Sequence, residues 1–232
     1  MSVSLTWIGH ATFLIDTGKG TILVDPFLDD CPTASMKAAD VACDAILITH
    51  GHADHVSDAA AIATRTGAPV HAAFEIANWL GSQGVEKLVA MNHGGTAEIP
   101  GGTARMELAF HSSSLPDGSY GGNPAGWLLD VAGKRIYVAG DTGVFSDMAR
   151  IGQPRNGRGL DLAILPIGDL FTMGPENSLE AIELLKPAAV LPCHYDTWPP
   201  IEQDAAAWAE QVRRQGIATP NVLTPGGTLT LE

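Results

Sequence analysis

Three imidazoles and a carboxylate stand within one hexapeptide, His50-Gly51-His52-Ala53-Asp54-His55, directly after the apolar run Ala45-Ile46-Leu47-Ile48. Packing alone rarely calls for such a cluster. A metal ion does, because imidazole nitrogens and carboxylate oxygens suit zinc and its borderline neighbours, and a catalytic site keeps one coordination position open for water. The first expectation is therefore a metallohydrolase. Four separate apolar runs each end in a candidate ligand, namely His50, His111, Asp141 and His194. Layered α/β folds build their sites at the carboxyl ends of strands, so these four ends are expected to meet at one sheet edge. His50 and His52 lie two apart on an extended segment and project to the same side, whereas Asp54 and His55 open the next helix and aim at a neighbouring point. That spacing points to two adjacent ions. The first would take His50, His52 and His111, the second Asp54, His55 and His194, with Asp141 bridging them.

The elements that must carry these residues alternate along the chain. Short β-type runs are expected at Val3 to Ile8, Ala11 to Asp16, Thr21 to Val24, Ala45 to Thr49, Arg105 to Phe110, Trp127 to Val131, Arg135 to Ala139, Leu160 to Pro166, Ala189 to Pro192 and Thr228 to Leu231. Helical patterns fall at Asp58 to Thr66, Phe74 to Leu80, Pro175 to Leu185 and Glu202 to Arg214, the third opened by Gly174-Pro175-Glu176. The order is that of an α/β fold. No internal repeat or charged linker divides it, so residues 1–232 are read as one domain.

Composition narrows the function. A chain of 232 residues with 45% hydrophobic content can bury a substantial core. Its formal charge of −13, without any run of Lys or Arg, repels nucleic acid and anionic membranes and favours a small-molecule substrate. Cys31, Cys43 and Cys193 are odd in number and far apart, so neither a disulfide framework nor a structural zinc site is expected, and a reducing cytoplasm is the simplest compartment. No stretch of about 18 consecutive apolar residues offers a membrane span.

Thr49-His50-Gly51-His52-Ala53-Asp54-His55, His111, Gly140-Asp141-Thr142 and His194 together resemble the metallo-β-lactamase superfamily. Four flanking pieces resemble, within it, the UPF0173 metal-dependent hydrolases: Trp7-Ile8-Gly9-His10-Ala11-Thr12-Phe13, Leu23-Val24-Asp25-Pro26, Phe171-Thr172-Met173-Gly174-Pro175 and His194-Tyr195-Asp196-Thr197-Trp198-Pro199-Pro200. That family is similar to the ascorbate-6-phosphate lactonases. The resemblance implies a four-layer αββα sandwich with a dinuclear site at one edge between the two sheets. A pair of divalent ions lowers the pKa of a shared water, so a bridging hydroxide would cleave a small ester, lactone or phosphodiester. Zn2+ is the first expectation for both ions, with Mn2+, Fe2+ and Ni2+ as alternatives. Asp54 would be the catalytic carboxylate, against the plainer reading of a helix cap. The same resemblance places His10 beside the centre as a catalytic or substrate group, while a lone histidine in a turn reads equally well as structural.

The loops should shape the pocket. Ser112 to Asn123 follows directly on His111 and is read as a pocket wall or as an ordinary surface connection. Phe171, Thr172 and Met173 form a second candidate wall, suited to apolar ligands or to a homo-oligomer contact. Substrate contacts are accordingly expected from His10, Ser112, Thr172 and Met173. His71, His93 and Cys193 are read as structural. Two rival functions stay open, a mononuclear iron enzyme of the persulfide dioxygenase kind and a non-enzymatic binding or assembly protein on the same fold. Di-iron oxygen reductases fit less well, since they carry Glu where this chain has His52.

Overall fold

The computed structural model describes residues 2–232. Its strands are β1 (Val3–Gly9), β2 (Thr12–Asp16), β3 (Thr21–Val24), β4 (Ala45–Leu47), β5 (Val70–Ala73), β6 (Leu88–Met91), β7 (Thr96–Ile99), β8 (Gly102–Leu108), β9 (Ala125–Val131), β10 (Lys134–Val138), β11 (Leu162–Pro166), β12 (Ala189–Cys193), β13 (Thr219–Pro220) and β14 (Thr228–Leu231). The helices are α1 (Ala53–Val56), α2 (Ala59–Thr66), α3 (Phe74–Ser82), α4 (Met148–Ile151), α5 (Pro175–Leu185) and α6 (Ala205–Gln215). The strands form two seven-stranded sheets, β14-β1-β2-β3-β4-β5-β6 and β13-β12-β11-β10-β9-β8-β7.

Side-chain alternation explains why the sheets stack. Successive strand residues face opposite ways, and both faces here are apolar. Leu5, Trp7, Phe13, Ile15, Ile22, Val24 and Leu47 of the first sheet enter the core shared with the second sheet. Their neighbours Ile8, Leu23 and Ile46 pack instead with Ile62, Ile76 and Leu80 of the outer helices. The second sheet repeats this on its own outer side, where Leu179, Ile182, Trp208 and Val212 of α5 and α6 complete the core. The result is the expected α/β sandwich of two sheets flanked by helices.

Most expected elements are present, with shifted ends. The run read as Arg105 to Phe110 is a strand from Gly102 to Leu108, and the last long helix begins at Ala205, where Asp204 accepts the Ala207 N–H at 2.8 Å. Strands β5, β6, β7 and β13 and helix α4 were not expected, whereas the helix expected to open at Asp54 and His55 is the short α1. β5 and β6 are four-residue pieces containing alanine, and pairing of β5 to β4 and of β6 to β5, rather than intrinsic propensity, makes them strands. Among the described residues no helix is long and apolar enough to cross a membrane.

Two hydrogen bonds tie the sheets together just before the histidine cluster. Trp127 Nε1 donates to Ile48 O at 3.2 Å and the Ala125 N–H donates to Thr49 O at 2.9 Å. Trp127 is fully buried. Replacing it by Phe is expected to cost about 1–3 kcal/mol, because it strands a buried carbonyl beside His50. Urea unfolding of the Trp127→Phe protein against wild type measures this, with the half-buried Trp198→Phe as a milder control.

Candidate metal centre

Five segments deliver the chemistry to one seam between the sheets. His50 follows β4, and His52 occupies the N-cap position of α1, whose first turn carries Asp54 and His55. From the second sheet come His111 beyond β8, Asp141 beyond β10 and His194 immediately after β12. The four strand ends thus meet as expected, but across two sheets rather than along one. Close backbone approach makes this geometry exacting. Gly140 has φ +63, and a Cβ there would stand 2.7 Å from Ala125 O. At Gly168, after β11, an added Cβ would strike the carbonyl oxygen of His194. His10, Asp25 and His194 all hold left-handed backbone, with φ of 50, 45 and 54. Such conformations cost energy in non-glycine residues and collect at functional sites.

Beneath the cluster lies Asp25, which is 1% exposed. Its Oδ1 accepts the Thr49 N–H at 2.7 Å, and its Oδ2 accepts the Thr49 hydroxyl at 2.6 Å and His55 Nδ1–H at 2.8 Å. Because Thr49 spends its only hydroxyl proton on Asp25, its oxygen must accept from His50 Nδ1–H, 3.0 Å away. One carboxylate therefore fixes both rings through Nδ1–H and turns the Nε2 atoms of His50 and His55 into the seam. Burial raises the Asp25 pKa, and the contacts with His55 and Thr49 oppose that rise. Sequence reasoning assigned Asp25 no role. The signal was present, since Asp25 ends the apolar run Ile22-Leu23-Val24 just as His50 ends its own.

Asp141 occupies the centre of the donors. Its Oδ2 lies 3.0 Å from His194 Nε2, 3.4 Å from His55 Nε2, 3.5 Å from His111 Nε2 and 3.9 Å from His50 Nε2. Burial opposes its ionisation, yet His194 and His55 hold the carboxyl well below its ordinary range. Burial likewise opposes charge on the partners, but Asp141 outweighs it, raising His194 to about 9 and His55 well above its usual value. Burial leaves His50, His52 and His111 less basic than usual.

The donor atoms fall into groups, each within 4.8 Å: His50, His52 and His111 in one, His10, Asp54, His55 and His194 in another, and Asp25, His50 and His55 in a third that joins them. Two buried atoms at their junction, His55 Nε2 and Asp141 Oδ1, make no hydrogen bond. Buried polar atoms without partners are costly, so their convergence among imidazoles and carboxylates fits a divalent cation. These clusters are able to bind metal.

Asp54 is not a helix cap, because His52 holds that position. Its Oδ2 lies 3.1 Å from His10 Nε2, and His10 Nδ1 lies 2.7 Å from Thr197 Oγ1. Burial, helped by His194, lowers the His10 pKa to about 4, so the ring is neutral at pH 7. An ionised Asp54 can only accept, which assigns the proton to Nε2 and makes Thr197 the donor to Nδ1. His10 is completely buried and supports Asp54 from behind.

A cleft of about 500 Å³ opens over the donors, lined by His52, Asp54, His111, Ser112, Asp141, Leu170, Phe171, His194 and Trp198. Of the substrate contacts expected from sequence, Ser112 lines it and stands 3.2 Å from His52 Nε2. His10 and Thr172 are not among the lining residues. Met173 corrects the sequence reading: it is 2% exposed and packs into the core, while Leu170 and Phe171 form the wall. The rest of the loop after Ser112 folds away from the cleft. Leu115 is buried among the first sheet's helices, and Trp79 Nε1 donates to Asp117 Oδ2 at 2.9 Å. His71 and Cys193 are buried structural residues as expected, and His93 bonds Pro124 O at 2.9 Å.

Metal must displace the protons that Asp141 and Asp25 hold on His194 and His55. Zinc titrated into the metal-free protein at pH 7 is therefore expected to release about two protons, with affinity falling as pH drops. Calorimetry in buffers of different ionisation enthalpy measures the number. Asp25→Ala, which frees both rings to rotate, is expected to weaken zinc binding about 10- to 100-fold.

Comparison with known proteins agrees with this geometry. The family model for a beta-lactamase superfamily domain matches residues 4–194. A UPF0173 metal-dependent hydrolase of Thermus thermophilus is 47% identical over 230 residues, covering 99% of this chain and all of the relative. A UPF0173 metal-dependent hydrolase of Pelotomaculum thermopropionicum is 42% identical over 233 residues, again covering 99% of this chain and all of the relative. Among solved structures, Igni18, a metallo hydrolase from the archaeon Ignicoccus hospitalis, superposes with a TM-score of 0.89 at 35% identity, covering 100% of this chain and 99% of its own. Matched over its whole length by such relatives, the chain belongs to the UPF0173 metal-dependent hydrolases of the metallo-β-lactamase superfamily.

Proposed function

We propose that this metal-dependent hydrolase works with two divalent ions and cleaves a small ester, lactone or phosphodiester. The observation that carries the reading is the gathering of six donor side chains into two groups, with Asp141 Oδ2 within 3.9 Å of His50, His55, His111 and His194, beneath an open cleft. His50, His52 and His111 would hold one ion, Asp54, His55 and His194 the other, and Asp141 both. When bound, the pair supplies Lewis acidity and lowers the pKa of a water toward neutrality, with zinc the best match to this nitrogen-rich set.

The remaining work falls to the chain's own groups. Burial opposes ionisation of Asp54, but the hydrogen bond from His10 and the neighbouring His194 and His55 rings overcome it and keep the carboxyl well below its ordinary range, so Asp54 is ionised at neutral pH. A carboxylate so acidic is a poor store for a proton but a good acceptor. Asp54 therefore orients the attacking water by accepting its hydrogen bond. The neutral His10, held by Thr197, stops the carboxylate from rotating, and Ser112 holds the half-exposed His52 ring. The cleft volume suits a small molecule rather than a polymer, in keeping with the chain's formal charge of −13.

The test joins metal analysis to turnover of bis-p-nitrophenyl phosphate and a panel of simple esters and lactones. Two non-redox ions per chain are expected, with activity lost to a chelator and restored by zinc or manganese. Asp54→Asn is expected to lower kcat/KM about 10²- to 10⁴-fold. A single bound iron, or turnover indifferent to chelation, would overturn the dinuclear hydrolase reading.

A further inference from the structure

The cleft wall is chemically one-sided. Opposite the metal donors stand Leu170, Phe171 and Trp198, and no lysine or arginine lines the cleft among the described residues. The chain places arginines around a different cavity, where Arg105, Arg150 and Arg155 surround Glu107. Near the metal donors the fixed charges outside the histidines are acidic: Asp54 and Asp141 in the cleft, and the exposed Asp169 beside the wall.

The wall is also held in place at a cost. Leu170 is 69% exposed and Phe171 55%. Asp169 and Leu170 take consecutive left-handed conformations, with φ of 62 and 51, which is uncommon for a bulky residue such as leucine. Both ends of the turn are fastened to the metal-binding segments. Gly168 lies against the His194 carbonyl, and the Met173 N–H donates to Thr142 O at 2.9 Å, next to Asp141. Met173 itself is anchored in the core. Strain and apolar exposure together, in a turn tied to the reacting centre, indicate a surface kept for contact with a ligand.

We propose that Leu170, Phe171 and Trp198 form a specificity wall that selects carboxylic esters and lactones carrying an uncharged, apolar acyl group, and that substrates with a second anionic group are rejected. This inference rests on the hydrolase reading above. In the reaction, a water oxygen bonds to the acyl carbon as the acyl–oxygen bond breaks, and the departing alkoxide leaves with a proton as the alcohol. The acyl chain lies against the wall, where each buried methylene adds to binding. A carboxylate or phosphate at the far end of that chain, against the wall and away from the metal donors, would lose its hydration with no lysine or arginine to meet it, and would face Asp169.

The experiment compares p-nitrophenyl acetate, butyrate and monosuccinate on the zinc-loaded protein, and titrates butyrate, octanoate and succinate into it by calorimetry. Wild-type kcat/KM is expected to rise about tenfold from acetyl to butyryl, as two added methylenes become buried. The succinyl ester is expected to fall below the butyryl ester by about tenfold or more, its carboxylate being desolvated without a partner. In the Leu170→Ser/Phe171→Ser double variant the butyryl-to-acetyl ratio is expected to drop to about two as the apolar contact is lost, whereas Phe171→Leu keeps most of it. A butyryl-to-acetyl ratio unchanged in the double variant, or a succinyl ester used as well as butyryl, overturns the wall. If no carboxylic ester is turned over, the hydrolase reading is judged on bis-p-nitrophenyl phosphate instead, and the titrations decide the wall separately: affinity rising from butyrate to octanoate and lost in the double variant supports it, and flat affinity overturns it.

Discussion

A carboxylate sealed inside a protein is among the least favourable groups a core can hold, and Asp25 is bearable only because three donors converge on it. The arrangement at the centre follows from that demand. To satisfy Asp25, the Thr49 backbone and hydroxyl must face it, and His55 must turn its Nδ1 down. The Thr49 hydroxyl, its proton already committed, then accepts the hydrogen bond of His50 Nδ1–H. Two imidazoles are locked in one rotation, with no freedom left for either to turn its Nε2 away from the seam. Rings so fixed lose little entropy when they take up an ion.

Asp141 shows the opposite logic. It lies at the meeting point of four histidine nitrogens, with one oxygen unpartnered. Asp25 is complete within the protein, whereas Asp141 is complete only with a cation. The same division separates the two outer carboxylate contacts: His10 and Thr197 finish one side of Asp54 and leave the other open to the cleft. Buried, satisfied groups thus orient the exposed, unsatisfied ones.

The donors were legible in the sequence because metal ligation is a matter of residue type and spacing, and His50 to His55 satisfies both within six positions. The longest-range partners were readable for a related reason, since His111, Asp141 and His194 each end an apolar run. What stayed hidden depends on which way a side chain points. Met173 looked like a pocket residue beside Phe171, but the left-handed turn at Asp169 and Leu170 rotates Leu170 and Phe171 outward and Met173 into the core. The Ser112 loop read as a wall because its polar composition does not reveal that Leu115 pins it elsewhere. Strands β5 and β6 escaped notice since a four-residue run has too little period to measure, and β4 supplies the template for β5 as β5 does for β6.

The sheets share the donors unequally. His50, His52, Asp54 and His55 come from the first sheet and its helix, while His111, Asp141 and His194 come from the second. Neither half holds a closed coordination set, and the residues that complete it lie at least 56 positions away along the chain, His55 to His111 being the nearest pair. An unfolded or half-folded chain therefore has little affinity for the ion, and binding draws the folding equilibrium toward the state in which both sheets have docked. Such an ion acts as a clasp across the sandwich. Its loss would loosen the seam between the layers before it loosened either layer, so metal supply would set the lifetime of the fold as well as its chemistry.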